Sequence, residues 1–338
     1  MNRFDWNWKL SDIKQDKDVK VFSTFACGGG SSMGYKRAGF DVIGNVEIDP
    51  KINRMYVENN HPKYNYCMDL REFNKLEDLP EELYEIDILD GSPPCTTFSM
   101  AGDREKTWGK TKKFREGQKE QTLDDLFFVF LDTVEKLKPK IVIAENVTGI
   151  IKGNAKGYCN LIVKRFQELG YDLQIFHLNA AKMDVPQARE RIFFIANNQR
   201  YGKLKLDFNY DLIPFGKVRE KEGKEFLSNT VLKSLLDKAV PGDVKISDVY
   251  ERYNHGTMKY YNSQIYNDEL VALTVTSGGQ YYRMCDKKRC TDKDINNVQT
   301  FPQDYNYCGN PVQYVCGMSV PPNMMANIAI EVWNQWIK

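Results

Sequence analysis

Apolar residues recur with two different periods along the first two hundred or so residues of the chain. Short apolar runs rich in β-branched residues predict strands at 19–25, 41–47, 86–89, 141–145, 172–177 and 191–196. The stretches between them repeat apolar residues every three to four positions, which predicts helices at 32–38, 51–59, 123–137 and 158–169. This alternation predicts a doubly wound α/β fold with a mostly parallel sheet, whose ligands bind beyond the carboxyl ends of the strands.

The pattern changes after Asn197. Residues 197–294 lose the alternation and are rich in Tyr, Lys, Asn and Gly, which predicts a smaller, irregular unit. The closing stretch 323–337 again has apolar residues at helical spacing, directly after Pro321 and Pro322, and we expect it to return to the first domain. The predicted division is one domain formed by 1–196 plus 300–338, and a second formed by 197–299.

Composition narrows the class of protein without identifying a partner. The 338 residues are 42% hydrophobic and 28% charged, with a formal net charge of +1, as in ordinary globular proteins. A nucleic-acid-binding surface would therefore need its basic groups gathered locally. We expect a cytoplasmic protein with no membrane segment. The eight cysteines are scattered through a large chain, which in a reducing compartment argues against a disulfide framework. The late group Cys285, Cys290, Cys308 and Cys316 has no C-x-x-C pair, which argues against a zinc site.

A glycine-rich turn follows the first predicted strand. The sequence Phe25-Ala26-Cys27-Gly28-Gly29-Gly30 lets the backbone approach a ligand closely, although it is not the G-x-G-x-x-G pattern of dinucleotide sites. Glu47 ends the second strand about 20 residues later, where a carboxylate accepts hydrogen bonds from ribose hydroxyls. Together the two features indicate an adenosine-containing cofactor. Separately, the glycines could equally form a tight corner and Glu47 a solvated strand end.

A rigidly held cysteine follows a later strand. In Gly91-Ser92-Pro93-Pro94-Cys95 two prolines fix the backbone before the thiol, which makes Cys95 a candidate nucleophile. A lone cysteine beside a proline corner is more often simply buried. Glu145-Asn146-Val147 and Gln187-Ala188-Arg189-Glu190-Arg191 lie at the ends of two further strands. Each of these alone is typical of an ordinary turn or a solvated face.

Taken in order, these motifs resemble those of DNA (cytosine-5) methyltransferases from Val21 to Ile328. Thr300-Phe301-Pro302 and Gly317-x-Ser319-Val320-Pro321 resemble the last two blocks of that family. The resemblance implies a Rossmann-like S-adenosylmethionine-dependent methyltransferase fold, with 1–196 plus 300–338 as the catalytic, cofactor-binding domain and 197–299 as the target-recognition domain. The chain departs from the family at four positions: Ser23 replaces the frequent Asp, Cys27 replaces Gly, Thr96 replaces Gln and Met318 replaces Asn.

The resemblance also implies residue roles. Cys95 would add to carbon 6 of a flipped cytosine, and Glu145 would stabilise the charge that develops at ring nitrogen 3. Arg191, with Arg189, would contact the base carbonyl and favour the thiolate. S-adenosylmethionine, released as S-adenosylhomocysteine, would be bound by Phe25, Ala26, Gly28, Gly29, Gly30, Glu47, Ile48, Asp69, Leu70, Pro93, Ser319 and Val320. Asp69 could equally belong to an exposed turn.

The implied partner is double-stranded DNA, bound by a monomer. The implied setting is a restriction-modification system, with a cognate restriction endonuclease acting separately, or a solitary bacterial or phage enzyme. Base flipping costs a few kilocalories per mole, and we expect the basic, glycine-containing segment 101–120 to close over the phosphate backbone in compensation. Amide, aromatic and Arg side chains at 260–264 and 276–283 are candidates for reading bases.

Two alternatives stay open at this point. One is a methyltransferase of the same fold that acts on RNA, as one branch of the family does on tRNA. The other is a catalytically silent DNA-binding relative, which is disfavoured because Cys95, Glu145 and Arg191 are all present.

Overall fold

The computed structural model describes residues 3–94, 111–112, 121–122, 125–153, 155–226, 231–254 and 263–338. The strands in these ranges are β1 (Lys20–Thr24), β2 (Asp41–Val46), β3 (Tyr64–Tyr66), β4 (Ile88–Gly91), β5 (Thr111–Lys112), β6 (Gln121–Thr122), β7 (Ile141–Val147), β8 (Asp172–Asn179), β9 (Gln187–Ala188), β10 (Glu190–Asn197), β11 (Ser263–Tyr266), β12 (Ala272–Leu273) and β13 (Gln280–Arg283). The helices are α1 (Gly30–Arg37), α2 (Pro50–Asn60), α3 (Leu70–Lys75), α4 (Leu126–Leu137), α5 (Ala155–Glu168), α6 (Val231–Asp237), α7 (Ile246–Asn254), α8 (Asp292–Val298), α9 (Val312–Met318) and α10 (Pro322–Val332).

Seven of the strands form one sheet in the order β3-β2-β1-β4-β7-β10-β8. The pairs β1 with β2, β1 with β4, β2 with β3 and β4 with β7 are parallel, whereas β10 runs antiparallel to β7. The predicted α/β fold with a mostly parallel sheet is therefore confirmed. The strand β3 and the helix α3 were not predicted, because three and six residues are too few to show a hydrophobic period.

The chain divides by its contacts into two compact units. The sheet unit comprises Ile13–Leu178, Glu190–Asp207 and Met325–Lys338, and the irregular unit comprises Met1–Asp12, Asn179–Arg189 and Phe208–Met324. This division describes contacts and does not test which segments fold independently, so the predicted domains 1–196 plus 300–338 and 197–299 stay a prediction.

The core on one face of the sheet unit is mainly aliphatic and contains several aromatic pairs. Phe22 of β1 stacks on Phe73 of α3 with ring centroids 5.5 Å apart, and Phe127 of α4 meets Phe194 of β10 edge-on at 5.1 Å. Such pairs add about 0.5–1.5 kcal/mol to the free energy gained from area burial. The end of the chain also belongs to this unit, where the Trp333 ring lies 6.4 Å from that of Phe40.

Local capping fixes where the helices next to the sheet edge begin. The Asp49 carboxylate accepts hydrogen bonds from the N–H groups of Lys51 and Ile52, and Pro50 occupies the first turn of α2, where its missing N–H costs nothing. The helix ends at His61, whose φ of 46° is left-handed. Within the described ranges, no helix combines the length and the apolar character that a membrane span requires.

The irregular unit has its own small core and a buried ionic centre. Leu236, Ile246, Val249 and Ile265 are buried together with neighbours from α6, α7 and β11. Arg283 of β13 is fully buried and forms ion pairs with Asp286 and Asp294 at 3.1 and 3.6 Å.

Candidate active site

The turn between β1 and α1 has a strained, alternating backbone. Phe25, Cys27 and Gly29 have φ values of 52°, 45° and 76°, in the left-handed region. For a residue with a side chain this conformation costs about 1–3 kcal/mol and is concentrated at ligand-binding sites. Alternating left-handed residues aim successive N–H groups into a concavity suited to anions. At position 29 only glycine fits, because a Cβ would lie 2.4 Å from Asn60 Nδ2.

The Glu47 carboxylate is held beside this turn by two backbone groups. Its Oε2 accepts from the Cys27 N–H and its Oε1 from the Asp49 N–H, each at 2.9 Å. Burial raises the pKa of Glu47, while backbone hydrogen bonds from Asp49, Cys27 and Ile48 lower it. A carboxylate held in place by backbone N–H groups is suited to accept hydrogen bonds from a pair of adjacent hydroxyls. The turn and Glu47 therefore suit a ligand that contains adenosine.

The other predicted cofactor residues fall into different local settings. Asp69 is the N-cap of α3, where its carboxylate accepts from the Arg71 N–H at 2.8 Å and forms an ion pair with the Arg71 guanidinium. Leu70 is buried in the core beside the sheet, and Pro93 is also buried. Ile48 is half-buried. Ser319 and Val320 are buried and belong to the irregular unit.

The segment that leads to Cys95 is fastened from both neighbouring strands. On one side, Thr24 Oγ1 donates to the Asp90 carbonyl at 3.0 Å. On the other side, Asn146 Nδ2 donates to the Pro93 carbonyl at 3.1 Å. Cys95 itself, with the rest of 95–110, lies outside the described residues. The described part of the P-P-C motif is thus tied directly to the E-N-V motif.

Glu145 and Arg191 form an ion pair where β7 ends and the adjacent strand β10 begins. Arg191 Nε lies 2.7 Å from Glu145 Oε1, with side-chain exposures of 14% and 12%. Arg191 Nη1 also donates to the Glu190 carbonyl at 2.7 Å. Burial lowers the pKa of Arg191, whereas the charge of Glu145 and its hydrogen bond raise it. Among the described residues, no hydrogen bond is formed by Glu145 Oε2 or by Arg191 Nη2.

Arg189 binds main-chain carbonyls, a role that could not be predicted from its position two residues before Arg191. It is 2% exposed, and its guanidinium donates to the carbonyls of Val275, Gly317 and Ser319 at 2.8, 3.0 and 3.1 Å. Gly317 passes so close to the backbone that a Cβ there would lie 2.3 Å from the Ser277 nitrogen. Arg189 thus joins three carbonyls from two main-chain segments of the irregular unit, one at Val275 and one at 317–319, and its catalytic role stays a prediction.

Gln187 reinforces the same clamp. Its Nε2 donates to Gln299 Oε1 at 2.6 Å, and its Oε1 accepts from the Val275 N–H at 2.9 Å. Gln299 in turn donates to the Ser319 carbonyl at 2.8 Å. The first two side chains of the Q-x-R-x-R motif therefore act within the irregular unit, while Arg191 pairs within the sheet unit.

Asp90, one residue before the end of β4, was not among the predicted site residues. Its side chain is 2% exposed and accepts from Ser23 Oγ at 2.8 Å and from the Tyr35 hydroxyl at 3.2 Å. Burial raises the pKa of Asp90 to about 7, the Ser23 and Tyr35 hydroxyls lower it, and the charge of Glu145 raises it. The sequence feature that could have pointed to Asp90 is Ser23, which stands where the family often has Asp.

The base-reading candidates divide by exposure. Thr276, Ser277 and Gln280 are exposed and stay candidates. The expectation for Arg283 is wrong, because this side chain is fully buried in ion pairs. Residues 260–262, the side chains of 101–120 and Thr96 lie outside the described part of the chain. Within the described part, no group of three or more His, Cys, Asp or Glu side chains is arranged to hold a metal ion.

Comparison with known proteins extends these observations over nearly the whole chain. The sequence model of the family described as C-5 cytosine-specific DNA methylase matches residues 19–334. The chain is 29% identical to the type II methyltransferase M.Sau96I of Staphylococcus aureus, over 96% of this chain and 78% of that protein. It is 32% identical to the type II methyltransferase M.FnuDI of Fusobacterium nucleatum, over 67% of this chain and 58% of that protein.

The fold has a close counterpart among solved structures. A prophage-encoded Escherichia coli protein, solved as a candidate DNA modification methyltransferase, aligns with a TM-score of 0.67 at 20% identity, over 94% of this chain and 99% of that chain. At this level of identity the likeness concerns the fold alone.

Proposed function

The chain belongs to the C-5 cytosine-specific DNA methylase family and is a DNA (cytosine-5) methyltransferase, and on that premise we propose which of its residues carry out the reaction. In this proposal Cys95 is the nucleophile, Glu145 and Arg191 stabilise the attacked base, and S-adenosylmethionine is the methyl donor. The substrate is a cytosine flipped out of duplex DNA.

One observation carries the assignment of Cys95. The Asn146 side chain, next to Glu145, donates to the carbonyl of Pro93, only two residues before Cys95. Pro94 restricts the backbone between these two positions, since its φ is fixed near −65°. The start of the segment that bears the thiol is therefore anchored to the strand that bears the carboxylate. This supports a nucleophile and an acid that act on the same base.

The proposed chemistry uses the thiolate to activate an unreactive carbon. The Cys95 sulfur forms a bond to carbon 6 of cytosine, and the electron pair of the 5,6 double bond makes carbon 5 nucleophilic. Carbon 5 then takes the methyl group. Loss of the proton on carbon 5 regenerates the double bond and expels the Cys95 sulfur, so the enzyme leaves the cycle unchanged.

Glu145 and Arg191 are suited to the charge that this addition creates. When sulfur adds to carbon 6, electron density moves toward ring nitrogen 3 and the carbonyl oxygen. Glu145 Oε2 would engage ring nitrogen 3 and the amino group, and Arg191 Nη2 would donate to the carbonyl oxygen. Because the ion pair fixes both side chains beforehand, little reorganisation is needed during reaction.

The cofactor pocket is proposed around the β1–α1 turn. S-adenosylmethionine supplies an electrophilic methyl group bound to a sulfonium sulfur. Glu47 would accept hydrogen bonds from the ribose hydroxyls, and the half-buried Phe25 would pack against the adenine. Asp69 would have to accept from the adenine amino group while it remains the cap of α3.

The biological setting is proposed from the relatives. The names of M.Sau96I and M.FnuDI mark them as type II methyltransferases, which supports a restriction-modification role with a separately acting endonuclease. We propose a cytoplasmic monomer that acts on double-stranded DNA. Residues 197–299 would recognise the target DNA sequence.

The test begins with the target site. Bisulfite sequencing of DNA from cells that express the protein identifies the methylated sequence, and a duplex of that sequence is then prepared with 5-fluorocytosine at the target. Fluorine cannot leave carbon 5 as a proton does, so the wild type should remain covalently bound to this duplex. Cys95→Ala should neither methylate nor become trapped, yet it should still bind the duplex.

Cys308→Ala is the matched control, because Cys308 is a free, partly exposed cysteine in the irregular unit, away from the proposed cofactor pocket in the sheet unit. It should retain both methylation and trapping. Full activity in Cys95→Ala would refute the mechanism. Methylation of tRNA in preference to duplex DNA would instead favour the RNA alternative.

A further inference from the structure

The buried carboxyl of Asp90 lies on the strand next to β1, directly beside position 23, where the family often has Asp. Ser23 of β1 is paired with Asp90 of β4 in the parallel ladder, and its hydroxyl donates to Asp90 Oδ2 at 2.8 Å. Phe22 and Leu89, the preceding rung, point to the opposite face, into the aromatic core. Position 23 of β1 therefore has no carboxyl, but the neighbouring strand β4 provides one at Asp90.

Within the described ranges, the surroundings of Asp90 are polar and include no cation that acts on it. Tyr35 of α1 donates to Oδ1, and Tyr56 of α2 forms a 2.8 Å hydrogen bond with Ser32 nearby. Burial raises the pKa of both tyrosines well above 10, so these hydroxyls stay neutral. Among the described residues, the one charged group that acts on Asp90 is Glu145, which repels it.

A buried carboxylate without a cation is costly. Asp90 lies near the carboxyl end of β4, level with Ser23 and so two residues before the turn that begins at Phe25. Its side chain accepts a hydrogen bond from Tyr35 of α1, the helix that follows this turn. A positively charged ligand in the turn would therefore stabilise the ionised form of Asp90.

We propose that Asp90 carries on β4 the carboxyl that relatives often carry at position 23, and that its charge makes the protein prefer the sulfonium-bearing methyl donor over the uncharged-sulfur product. This inference rests on the proposed donor and assigns a positioning and specificity role that none of the recognised motifs contains. Asp90 acts through its field and through its bonds to Ser23 and Tyr35.

The preference should depend on pH. Because the pKa of Asp90 is about 7, the carboxyl is mostly protonated at pH 6 and mostly ionised at pH 8. The donor and the product share the adenosine and amino-acid parts, so contacts to those parts cancel in the ratio of their dissociation constants. In the proposed pocket Glu47 would face the ribose common to both ligands, and the charge of Glu145 is paired with Arg191. The ratio therefore reports mainly on Asp90.

The experiment is calorimetric titration of the full-length protein with S-adenosylmethionine and with S-adenosylhomocysteine at pH 6, 7 and 8. For the wild type, the product-to-donor ratio of Kd should rise about three- to tenfold from pH 6 to pH 8, the range expected for one partly screened charge pair. Asp90→Asn should bind both ligands with a ratio that does not change with pH. Asp87→Asn, at the opposite end of β4, should keep the wild-type dependence.

Two further variants separate the charge from the fold. Ser23→Asp combined with Asp90→Ser returns the carboxyl to β1, and it should restore a preference that Asp90→Ser alone loses. Tyr35→Phe removes a donor that lowers the pKa of Asp90, so it should move the rise in the ratio to higher pH.

The two levels of the proposal fail differently. A wild type that binds both ligands with a constant ratio, or an Asp90→Asn variant that keeps the pH-dependent rise, would overturn the role of Asp90 and leave the donor assignment intact. A wild type that binds neither ligand would overturn the donor and this inference together.

Discussion

Replacing Asp90 by Asn should change how the stability of the free protein depends on pH. Burial raises the pKa of this carboxyl from its ordinary 3.8 to about 7 in the folded chain. A group with a raised pKa in the folded state contributes stability that is complete below its ordinary pKa and is lost as pH rises through the folded value. The wild type should therefore lose stability between pH 4 and pH 7, and Asp90→Asn should not lose that part.

The size of the effect follows from the shift. One pKa unit corresponds to about 1.4 kcal/mol, so the difference between 3.8 and about 7 costs the folded wild type about 4 kcal/mol at pH 8. Over the two pH units from 5 to 7 the loss is about 2 kcal/mol, because the carboxyl of the folded chain is already half ionised at pH 7. An asparagine at position 90 can still accept a hydrogen bond from Ser23 but does not ionise.

The assay is urea unfolding of wild type and Asp90→Asn, followed by tryptophan fluorescence at pH 5, 6 and 7. The free-energy difference between variant and wild type should grow in favour of the variant as pH rises. Asp87→Asn serves as the control, because Asp87 is partly exposed, lies at the other end of β4 and forms an ion pair with Lys140. Parallel pH profiles for wild type and Asp90→Asn would refute the reasoning.

Three other changes test the rest of the site. Glu145→Gln should slow methyl transfer by about a hundredfold or more, the scale of acid catalysis, while the Kd for S-adenosylmethionine stays nearly constant; equal losses in both would contradict its role. Arg189→Lys should lower the free energy of unfolding by about 3 kcal/mol, because one ammonium cannot replace a guanidinium that binds three carbonyls; unchanged urea stability would count against the clamp. Gly317→Ala should cost about 1–3 kcal/mol by crowding Ser277, whereas Gly157→Ala, with nothing within 4 Å, should be harmless in the same unfolding assay.

The sequence predicted the elements that were long enough to show a period. The strands of the main sheet other than β3 and the helices α1, α2, α4 and α5 lie within a few residues of their predicted bounds. The short β3 and α3 carry no such signal. At residue level, the glycine turn and Glu47 could be found from residue type and order, because their chemistry depends on their own positions along the chain.

Roles that depend on pairing between distant segments could not be predicted. In the sequence, Asp90 is indistinguishable from an ordinary residue near the end of a strand. Only the strand register shows that it is paired with Ser23. Arg189 and Arg191 read as one face of a strand, but β9 ends at Ala188 and β10 begins at Glu190, and the two side chains have unrelated partners. The burial of Arg283 depends on Asp286 and Asp294, and nothing in its loop composition indicates that pairing.

The three-segment composition of the irregular unit has a consequence for exchanging specificity between relatives. A chimera that grafts only 197–299 would import a foreign carbonyl at position 275 while retaining the host guanidinium at Arg189 and the host Gln187 that bind there. The first twelve residues are bonded into the same unit, since the Trp8 indole donates to the Thr300 carbonyl. Grafts that transplant 179–189 and 208–324 together, with the matching first twelve residues, keep these bonds within a single parent.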